Sequence, residues 1–400
     1  MSKTPLNIQI MAKPIGPLCN LDCAYCFYKQ QKSSYPKKHD FKMTEKVLSQ
    51  FIRQYIAMQS GREISFAWQG GEPMLTGLDF FELAVSLQQK YCPPGKSITN
   101  IIQTNGTLVD RKWCELFKKN NFLVGISLDG PEEMHDRYRV DQTGQPSFAK
   151  VSQAIELFRI HGVEFNTITV VNHHNSQDPL QIYDFLKAIG SDYLQFIPLV
   201  EIRKNKSANS DDYIVSERSV SPADYGNFLC TIFDQWVSND VGKVFVQLFD
   251  AALGLWYTGH SSLCTFANSC GNNLVLEHNG DLYSCDHYVS PDLVLGNIMF
   301  AKITSLLAGK KQAKLSRRKQ HSLNDLCRQC DVFHLCHGGC PKNHLPIGQD
   351  ENIGRNYLCT GYKQFFRHIA PQMEEMCQLL AEKQPPSKIM RLTEQVRNTE

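Results

Sequence analysis

Along residues 8–198, two kinds of apolar pattern alternate, one typical of strands and one typical of helices. Short apolar runs rich in β-branched and aromatic residues have the length of buried strands. After each run, apolar residues recur every three or four positions, which is typical of an amphipathic helix. The pattern predicts six strands, at residues 8–12, 64–68, 98–103, 122–128, 164–171 and 193–198.

Five helices are predicted between these strands, and several have recognisable ends. Thr44 is suited to cap the first helix, whose apolar stripe runs from Val47 to Ile56. Asp110 is suited to cap the third helix. Gly162 follows the fourth helix at the position where a left-handed residue often ends a helix.

Alternating strands and helices predict an α/β fold with a parallel sheet and right-handed crossovers. The periodicity alone leaves two architectures open, a doubly wound sheet and a barrel of the triosephosphate-isomerase kind. Polar and glycine-rich segments follow the strands at residues 69–73, 104–106 and 129–131. Both architectures place their ligands at these carboxyl ends of strands.

Beyond residue 198 the alternation stops. Residues 203–221 are polar and charged, which predicts a mobile insertion or a lid-like loop. A helical pattern resumes at Pro222, and an apolar stretch at 244–257 leads to a second module. The chain after residues 384–386 is predicted to be frayed or loosely helical. The expected domains are a barrel at 1–235, a bridging segment at 236–262, a cluster module at 263–376 and a tail at 377–400.

Composition narrows the classes of function. The net charge of +2 gives no electrostatic case for binding nucleic acid or an anionic membrane. No apolar run reaches membrane-spanning length, and the N-terminus lacks the features of a signal peptide. We therefore expect a soluble, cytoplasmic monomer. In a reducing compartment, fifteen cysteines with clustered spacings indicate metal binding rather than disulfides.

The first cysteine cluster has the spacing C-x3-C-x2-C, at Cys19, Cys23 and Cys26, directly after the first predicted strand. A tetrahedral zinc site takes four ligands, and no histidine lies near this run in the sequence. Three thiolates suit a 4Fe–4S cluster with one iron open to an exchangeable ligand, because four thiolates usually hold such clusters. A zinc half-site and ordinary buried thiols are the alternatives.

With Tyr25 and Phe27 flanking its last cysteine, this run closely resembles the signature of the radical S-adenosylmethionine superfamily. The resemblance favours an incomplete barrel of six βα units, (β/α)6, over a doubly wound sheet. It also implies that the open iron binds the amino and carboxylate groups of S-adenosylmethionine. The residues that it implies for the cofactor site are Tyr25, Gly71, Ser127, Arg139 and Leu199.

A second set of cysteines begins at Cys264 and includes a C-x9-G-x4-C segment and a C-x2-C-x5-C-x3-C segment. This pattern resembles the SPASM extension of radical S-adenosylmethionine enzymes that modify peptides and proteins. Its eight cysteines match the needs of two fully ligated 4Fe–4S clusters. The resemblance implies two interleaved ligand sets, Cys264, Cys270, Cys285 and Cys340 for one cluster and Cys327, Cys330, Cys336 and Cys359 for the other.

A zinc ribbon is the alternative for this second set, since C-x2-C also begins many structural zinc sites. His334, His337 and His344 lie near enough in the sequence to be considered as ligands. We interpret these histidines as surface groups or as neighbours of the ligands, because zinc sites rarely need the C-x5-C-x3-C continuation.

Further segments resemble the anaerobic sulfatase-maturating enzymes: FAWQGGEPMLTGLDFFE, IQTNGTL, FLVGISLDGP, YLQFI and LYSCDHYV. The resemblance implies oxidation of a Cys or Ser of a sulfatase, in a Cys/Ser-x-Pro-x-Arg segment, to Cα-formylglycine. It implies three 4Fe–4S clusters and S-adenosylmethionine as cofactors, and a flavodoxin or ferredoxin as electron donor. Asp286, directly after Cys285, is the candidate acid–base residue. Without the resemblance it would be interpreted as a solvated loop aspartate.

Two other functions remain open at this point. A SPASM-type maturase of a small peptide often carries a recognition module before its first cysteine run, whereas eighteen residues precede Cys19 here. A non-enzymatic iron–sulfur carrier or zinc module would have no use for an open iron. The basic residues between 309 and 320 are interpreted as a solvated helix face or linker, with a docking surface for the unfolded sulfatase as the weaker interpretation.

Overall fold

The computed structural model describes residues 8–35, 40–204, 213–345 and 354–391. The strands within these ranges are β1 (Gln9–Lys13), β2 (Glu63–Trp68), β3 (Ser97–Thr104), β4 (Phe122–Ser127), β5 (Phe165–Val171), β6 (Tyr193–Pro198), β7 (Ile202–Lys204), β8 (Tyr213–Val215), β9 (Phe245–Val246), β10 (Asn273–Glu277), β11 (Asp281–Tyr283) and β12 (Gly296–Asn297).

The helices in the same ranges are α1 (Glu45–Met58), α2 (Leu78–Tyr91), α3 (Arg111–Lys119), α4 (Glu132–Asp136), α5 (Phe148–His161), α6 (Pro179–Ala188), α7 (Pro222–Asn239), α8 (Gln247–Thr258), α9 (Ile303–Leu307), α10 (Lys310–Ser316), α11 (Arg318–His321), α12 (Asp325–Arg328), α13 (Phe333–Cys336) and α14 (Cys359–Ala381). None of the helices in the described ranges has both the length and the apolar character needed to span a membrane.

The local pattern predicted the first six strands and their helices well, since β1 to β6 all lie within two residues of the predicted bounds. The predicted helix ends are also confirmed. The Thr44 hydroxyl accepts a hydrogen bond from the Val47 N–H at 3.4 Å, and the Asp110 carboxylate accepts one from the Trp113 N–H at 3.0 Å. Gly162 ends α5 with a left-handed φ of 61°.

The chain divides into two compact units, and the first contains Met1–Ser127, Asp136–Phe165 and Cys270–Arg317. Its strands lie in the order β12-β11-β10-β1-β2-β3-β4. The pairs from β10 through β1, β2 and β3 to β4 are parallel, whereas β11 and β12 are antiparallel additions. Phe51, Phe66, Trp68 and Phe81 fill the space between this sheet and its helices, with ring centroids 5.7–6.2 Å apart. Burial of such large rings is a major source of the unit's stability.

The pairing of β1 with β10 was not predicted. These strands run parallel in a register that places Lys13 opposite Glu277. Local periodicity cannot show a pairing between segments so distant in the sequence, and residues 273–277 were assigned only to the cluster module. The consequence is functional, because β10 and β11 bring the Cys285–Asp286 segment into the unit that contains the first cysteine run.

The second unit contains Leu128–His135, Asn166–Ser269 and Arg318–Glu400. Within it, β6 pairs in parallel with both β5 and β9. Helix α14 crosses α7 so closely that a Cβ on Gly361 would lie 2.1 Å from the Pro222 carbonyl oxygen. These units do not follow the predicted domain bounds, which stay predictions.

The polar segment at 203–221 contains more regular structure than predicted. Strands β7 and β8 form an antiparallel pair, and Arg218 donates hydrogen bonds of 3.0 and 2.9 Å to the Glu201 carboxylate. Residues 205–212, between the two strands, lie outside the described residues, and so does the tail at 392–400. A short 3₁₀ turn, Pro386–Lys388, precedes that tail.

Candidate active site

The loop with the first three cysteines follows the carboxyl end of β1. Its backbone is tied to the segment before α5: Asp22 N–H donates to the Val140 carbonyl at 2.8 Å, and Ala24 N–H donates to the Tyr138 carbonyl at 2.9 Å. These bonds fix the loop where the carboxyl ends of the parallel strands meet. The Leu21 N–H points inward and donates to the Cys19 sulfur at 3.4 Å.

The three thiols lie close to one another. Burial raises the pKa of the Cys19 thiol to about 12, and the nearby Glu72, Cys23 and Cys26 add negative charge that raises it further. A thiolate at such a position needs a positive partner, which the irons of a cluster supply. Among the described residues, no three cysteine, histidine or carboxylate side chains converge as closely as a single metal ion requires. Cluster thiolates bind separate irons, so the donor set and its charge fit a 4Fe–4S cluster.

The glycines after β2 pack directly against the cysteine loop. Gly71 N–H donates to the Gly16 carbonyl at 2.7 Å, and Glu72 N–H donates to the Leu18 carbonyl at 2.8 Å. A Cβ on Gly71 would lie 1.8 Å from the Leu18 carbonyl oxygen, which real structures do not tolerate. The family resemblance implies that Gly71 lines the cofactor site. The structure adds a reason for a glycine here, the close approach of the cysteine loop itself.

Gly71→Ala should therefore displace the loop that carries Cys19. We expect an unfolding free energy about 2 kcal/mol or more lower, because the clash is with backbone atoms, and incomplete iron loading at the first cluster. The matched control is Gly61→Ala, where the nearest atom would lie 3.5 Å from the new Cβ. Thermal unfolding and iron analysis of both variants check this, and equal melting temperatures and iron contents would contradict it.

Four of the five predicted S-adenosylmethionine residues lie in the first unit. Arg139 is buried, with its guanidinium carbon 5.5 Å from the centre of the Tyr25 ring. Ser127, at the end of β4, accepts a hydrogen bond from Gln103 Nε2 at 3.0 Å. Leu199 belongs to the second unit, where its N–H donates to the Val171 carbonyl at 2.8 Å.

Asp286 lies in a buried charged cluster, contrary to the interpretation as a solvated loop aspartate. Its Oδ1 is 2.6 Å from Nζ of Lys13, whose side chain is 1% exposed, whereas that of Asp286 is 20% exposed. The Lys13 ammonium also lies 4.4 Å from the centre of the Tyr28 ring. The Tyr28 hydroxyl in turn donates to Glu277 Oε1 at 2.5 Å.

This cluster joins the Asp286 segment to the cysteine loop. The Phe27 and His287 rings, which follow Cys26 and Asp286 in the chain, lie 5.2 Å apart. Burial, and then the charge of Glu277, raises the pKa of Tyr28 well above its usual value, so this hydroxyl keeps its proton. Sequence reasoning missed Lys13 and Glu277, because only the β1–β10 pairing shows that they are neighbours.

In the second unit, the structure brings together four cysteines that were predicted to share a cluster. Arg355 lies among them and forms a hydrogen bond with Cys359 that, together with nearby thiols, raises the pKa of the arginine. Burial raises the pKa of the Cys336 thiol to about 12. A cavity of about 300 Å³ is lined by Arg355 together with Cys327, Cys330, Cys336 and Cys359.

The other predicted ligand set is divided between the units, with Cys270 and Cys285 in the first and Cys264 and Cys340 in the second. Its grouping stays a prediction. One prediction about its surroundings is wrong: Lys319, within the basic run interpreted as solvated, is fully buried. Its ammonium donates to the carbonyls of Cys264, Thr265 and Ala267 at 3.2, 2.6 and 2.5 Å. A charge buried in this way fixes the Cys264 loop.

The nearby histidines also have structural contacts. His344 Nε2 lies 2.8 Å from the Gly338 carbonyl oxygen. Burial lowers the pKa of both His337 and His344. These contacts agree with the interpretation of the histidines as neighbours of the cysteines.

Comparisons with known proteins agree with this architecture. Residues 14–186 match the profile of the Radical SAM superfamily, and residues 264–331 match the SPASM iron-sulfur cluster-binding domain. The serine-type anaerobic sulfatase-maturating enzyme of Bacteroides thetaiotaomicron is 43% identical over 96% of this chain and 94% of its own length. The cysteine-type enzyme of Clostridium perfringens is 34% identical over 92% of this chain and 97% of its own.

A solved structure described as native anSMEcpe with bound AdoMet and Cp18Cys peptide has a TM-score of 0.81 to this chain. The two are 34% identical, and the match covers 92% of this chain and 99% of that one. The predicted fold, a partial TIM-like barrel followed by a SPASM domain, is confirmed, and it defines a radical S-adenosylmethionine enzyme. The chain belongs to the anaerobic sulfatase-maturating enzymes.

Proposed function

We propose that this chain oxidises a cysteine or serine of a sulfatase, in a Cys/Ser-x-Pro-x-Arg segment, to Cα-formylglycine. The observation that carries the proposal is the contact of 2.6 Å between buried Lys13 and Asp286, beside the loop of Cys19, Cys23 and Cys26. This contact places a carboxylate next to the segment expected to hold the catalytic cluster. Relatives named for both serine-type and cysteine-type maturation cover nearly the whole chain.

In the proposed reaction, each of several residues of the first unit would have a separate role. When bound, the cluster and S-adenosylmethionine would supply the radical chemistry needed to remove a hydrogen atom from Cβ of the substrate residue. Arg139 would pair with the methionyl carboxylate, and Tyr25 and Gly71 would line the cofactor. Asp286 would accept the proton of the substrate thiol or hydroxyl. Lys13, whose ammonium lies 2.6 Å from Asp286 Oδ1, would hold the carboxylate in place.

The remaining electron must leave the substrate when the carbon–heteroatom double bond forms. A serine would then give the aldehyde directly, whereas a cysteine would give a thioaldehyde that water hydrolyses to the aldehyde with release of hydrogen sulfide. The cysteine sets of the second module would hold two 4Fe–4S clusters, which would supply a one-electron acceptor, with Cys327, Cys330, Cys336 and Cys359 around the cavity beside Arg355. A flavodoxin or ferredoxin in the cytoplasm would supply the electron that starts the reaction. We expect the chain to act as a monomer.

The direct test uses the full chain, reconstituted with iron and sulfide in the absence of oxygen. Peptides with Ser-x-Pro-x-Arg and Cys-x-Pro-x-Arg segments are incubated with S-adenosylmethionine and a reductant, and mass spectrometry follows peptide and 5′-deoxyadenosine. We expect formylglycine from both peptides, because the hydrogen is taken from a Cβ that both residues share. A peptide with Ala at the target position is the control.

The competing function is maturation of another peptide by the same chemistry. It predicts 5′-deoxyadenosine without formylglycine on either sulfatase peptide. That outcome would contradict the proposed substrate while leaving the radical chemistry intact. Zinc in place of iron at the second module would contradict the cluster assignment there.

A further inference from the structure

Asn105 lies directly after β3, and its side chain is buried at 7% exposure. Its carbonyl oxygen Oδ1 accepts hydrogen bonds from the Thr107 N–H at 2.9 Å and from the Thr107 hydroxyl at 2.7 Å. Its amide nitrogen Nδ2 donates to Asn20 Oδ1 at 2.9 Å and to the Cys19 sulfur at 3.6 Å. The side chain therefore connects the end of β3 with the cysteine loop.

These partners determine which way the amide faces. The Thr107 N–H can only donate, so a flipped amide would set two donors against each other. Asn20 Nδ2 donates to the Thr107 hydroxyl at 2.8 Å, which closes a ring of hydrogen bonds through Asn105, Thr107 and Asn20. The group of Asn105 that faces Cys19 is therefore the N–H donor.

The backbone of Asn105 is held by a further group, the Glu72 carboxylate. Its N–H donates to Glu72 Oε2 at 2.8 Å, and the Thr104 hydroxyl donates to Glu72 Oε1 at the same distance. Glu72 is fully buried and also accepts a hydrogen bond from the Met74 N–H. A side chain with both ends fixed in this way is preorganised to interact with the sulfur.

We propose that Asn105 tunes the catalytic cluster through Cys19, by donating a hydrogen bond to the thiolate that raises the reduction potential. The inference rests on the proposed cluster at Cys19, Cys23 and Cys26. An N–H donor offsets negative charge on sulfur, and the reduced cluster, which carries one more negative charge, gains more from it. The Leu21 backbone N–H acts on the same sulfur at 3.4 Å, but substitution can remove only the Asn105 donor.

The test is a redox titration of the reconstituted full chain carrying Asn105→Ala, followed by electron paramagnetic resonance. The signal of the catalytic cluster is identified by its change on addition of S-adenosylmethionine. We expect its midpoint potential to fall, so that the ratio of reduced to oxidised cluster at a fixed potential drops about tenfold, or ~59 mV. The signals that do not respond to S-adenosylmethionine should keep their wild-type potentials.

Two further variants make the test specific. Asn100→Ala is the matched control, because Asn100 is a buried asparagine within β3 whose amide accepts hydrogen bonds from Trp68 and Gln88 and donates one to Gln88. It should leave the potential of the responsive signal unchanged. Asn105→Asp keeps an acceptor for Thr107 and replaces the donor with a negative oxygen, so we expect a larger shift in the same direction.

An unshifted responsive signal in a fully loaded Asn105 variant would overturn the inference. A uniform shift of all signals, or loss of the cluster from both Asn105 variants, would also overturn it, because either result shows a structural role. A wild-type chain with no responsive signal would overturn the cluster assignment itself, and the inference with it.

Discussion

Replacing Cys19, Cys23 and Cys26 together with alanine should abolish the reductive cleavage of S-adenosylmethionine. The wild-type chain should hold about twelve irons, in three four-iron clusters, and the triple variant about eight. The physical reason is that only the first run leaves one iron without a protein ligand, so only there can S-adenosylmethionine bind iron directly. Iron and sulfide analysis and a 5′-deoxyadenosine assay, both under anaerobic conditions, measure the two losses.

The chain provides a matched control for this variant. Cys92, Cys230 and Cys377 lie outside the predicted ligand sets, and replacing these three with alanine should retain about twelve irons and the cleavage reaction. Continued cleavage by the Cys19, Cys23 and Cys26 variant would show that the catalytic cluster lies elsewhere. Loss of all iron from that variant would show that the loop also supports the second module.

The positions of the first six strands could be predicted because each is a local pattern. The apolar pattern of a buried strand such as β2, or of an amphipathic helix such as α1, is visible within the element itself. The side chains of Thr44 and Asp110 cap the helices that they precede, so they also indicate helix ends locally. The cysteine spacings are similarly local, so the ligands of the first run could be proposed without a structure, and they stay a prediction. These features depend on residues close to each other in the sequence.

The charged cluster around Asp286 could not be predicted in the same way. Lys13 is the last residue of an apolar strand, and nothing near it in the sequence provides an anion. Its partner comes from Asp286, and a second carboxylate comes from Glu277 through the pairing of β10 with β1. Lys319 is a second case that the local sequence could not predict. Its basic neighbours suggest a solvated helix face, but its ammonium donates hydrogen bonds to backbone carbonyls that are distant in the sequence.

Asp286→Asn should separate radical formation from oxidation of the substrate. Asparagine has nearly the same volume and can still hydrogen-bond, but it cannot accept the proton of the substrate thiol or hydroxyl. We expect all three clusters and the formation of 5′-deoxyadenosine to persist, while formylglycine formation falls by roughly 100-fold or more. Mass spectrometry of peptide and 5′-deoxyadenosine in the same anaerobic reaction measures both quantities.

The control for this substitution is Asp281→Asn, on β11 of the same hairpin. Asp281 accepts hydrogen bonds from Asn279 and Asn297 at 2.7 and 2.9 Å, so the change alters the hairpin without touching Lys13. Formylglycine at the wild-type rate in Asp286→Asn would show that another group accepts the proton. If Asp286→Asn also lost the iron bound by Cys285, the carboxylate would be needed to hold the ligand segment against Lys13. Asp286 is assigned to proton transfer if Asp286→Asn keeps its clusters and loses only formylglycine formation. Asp281→Asn should keep both the clusters and formylglycine formation.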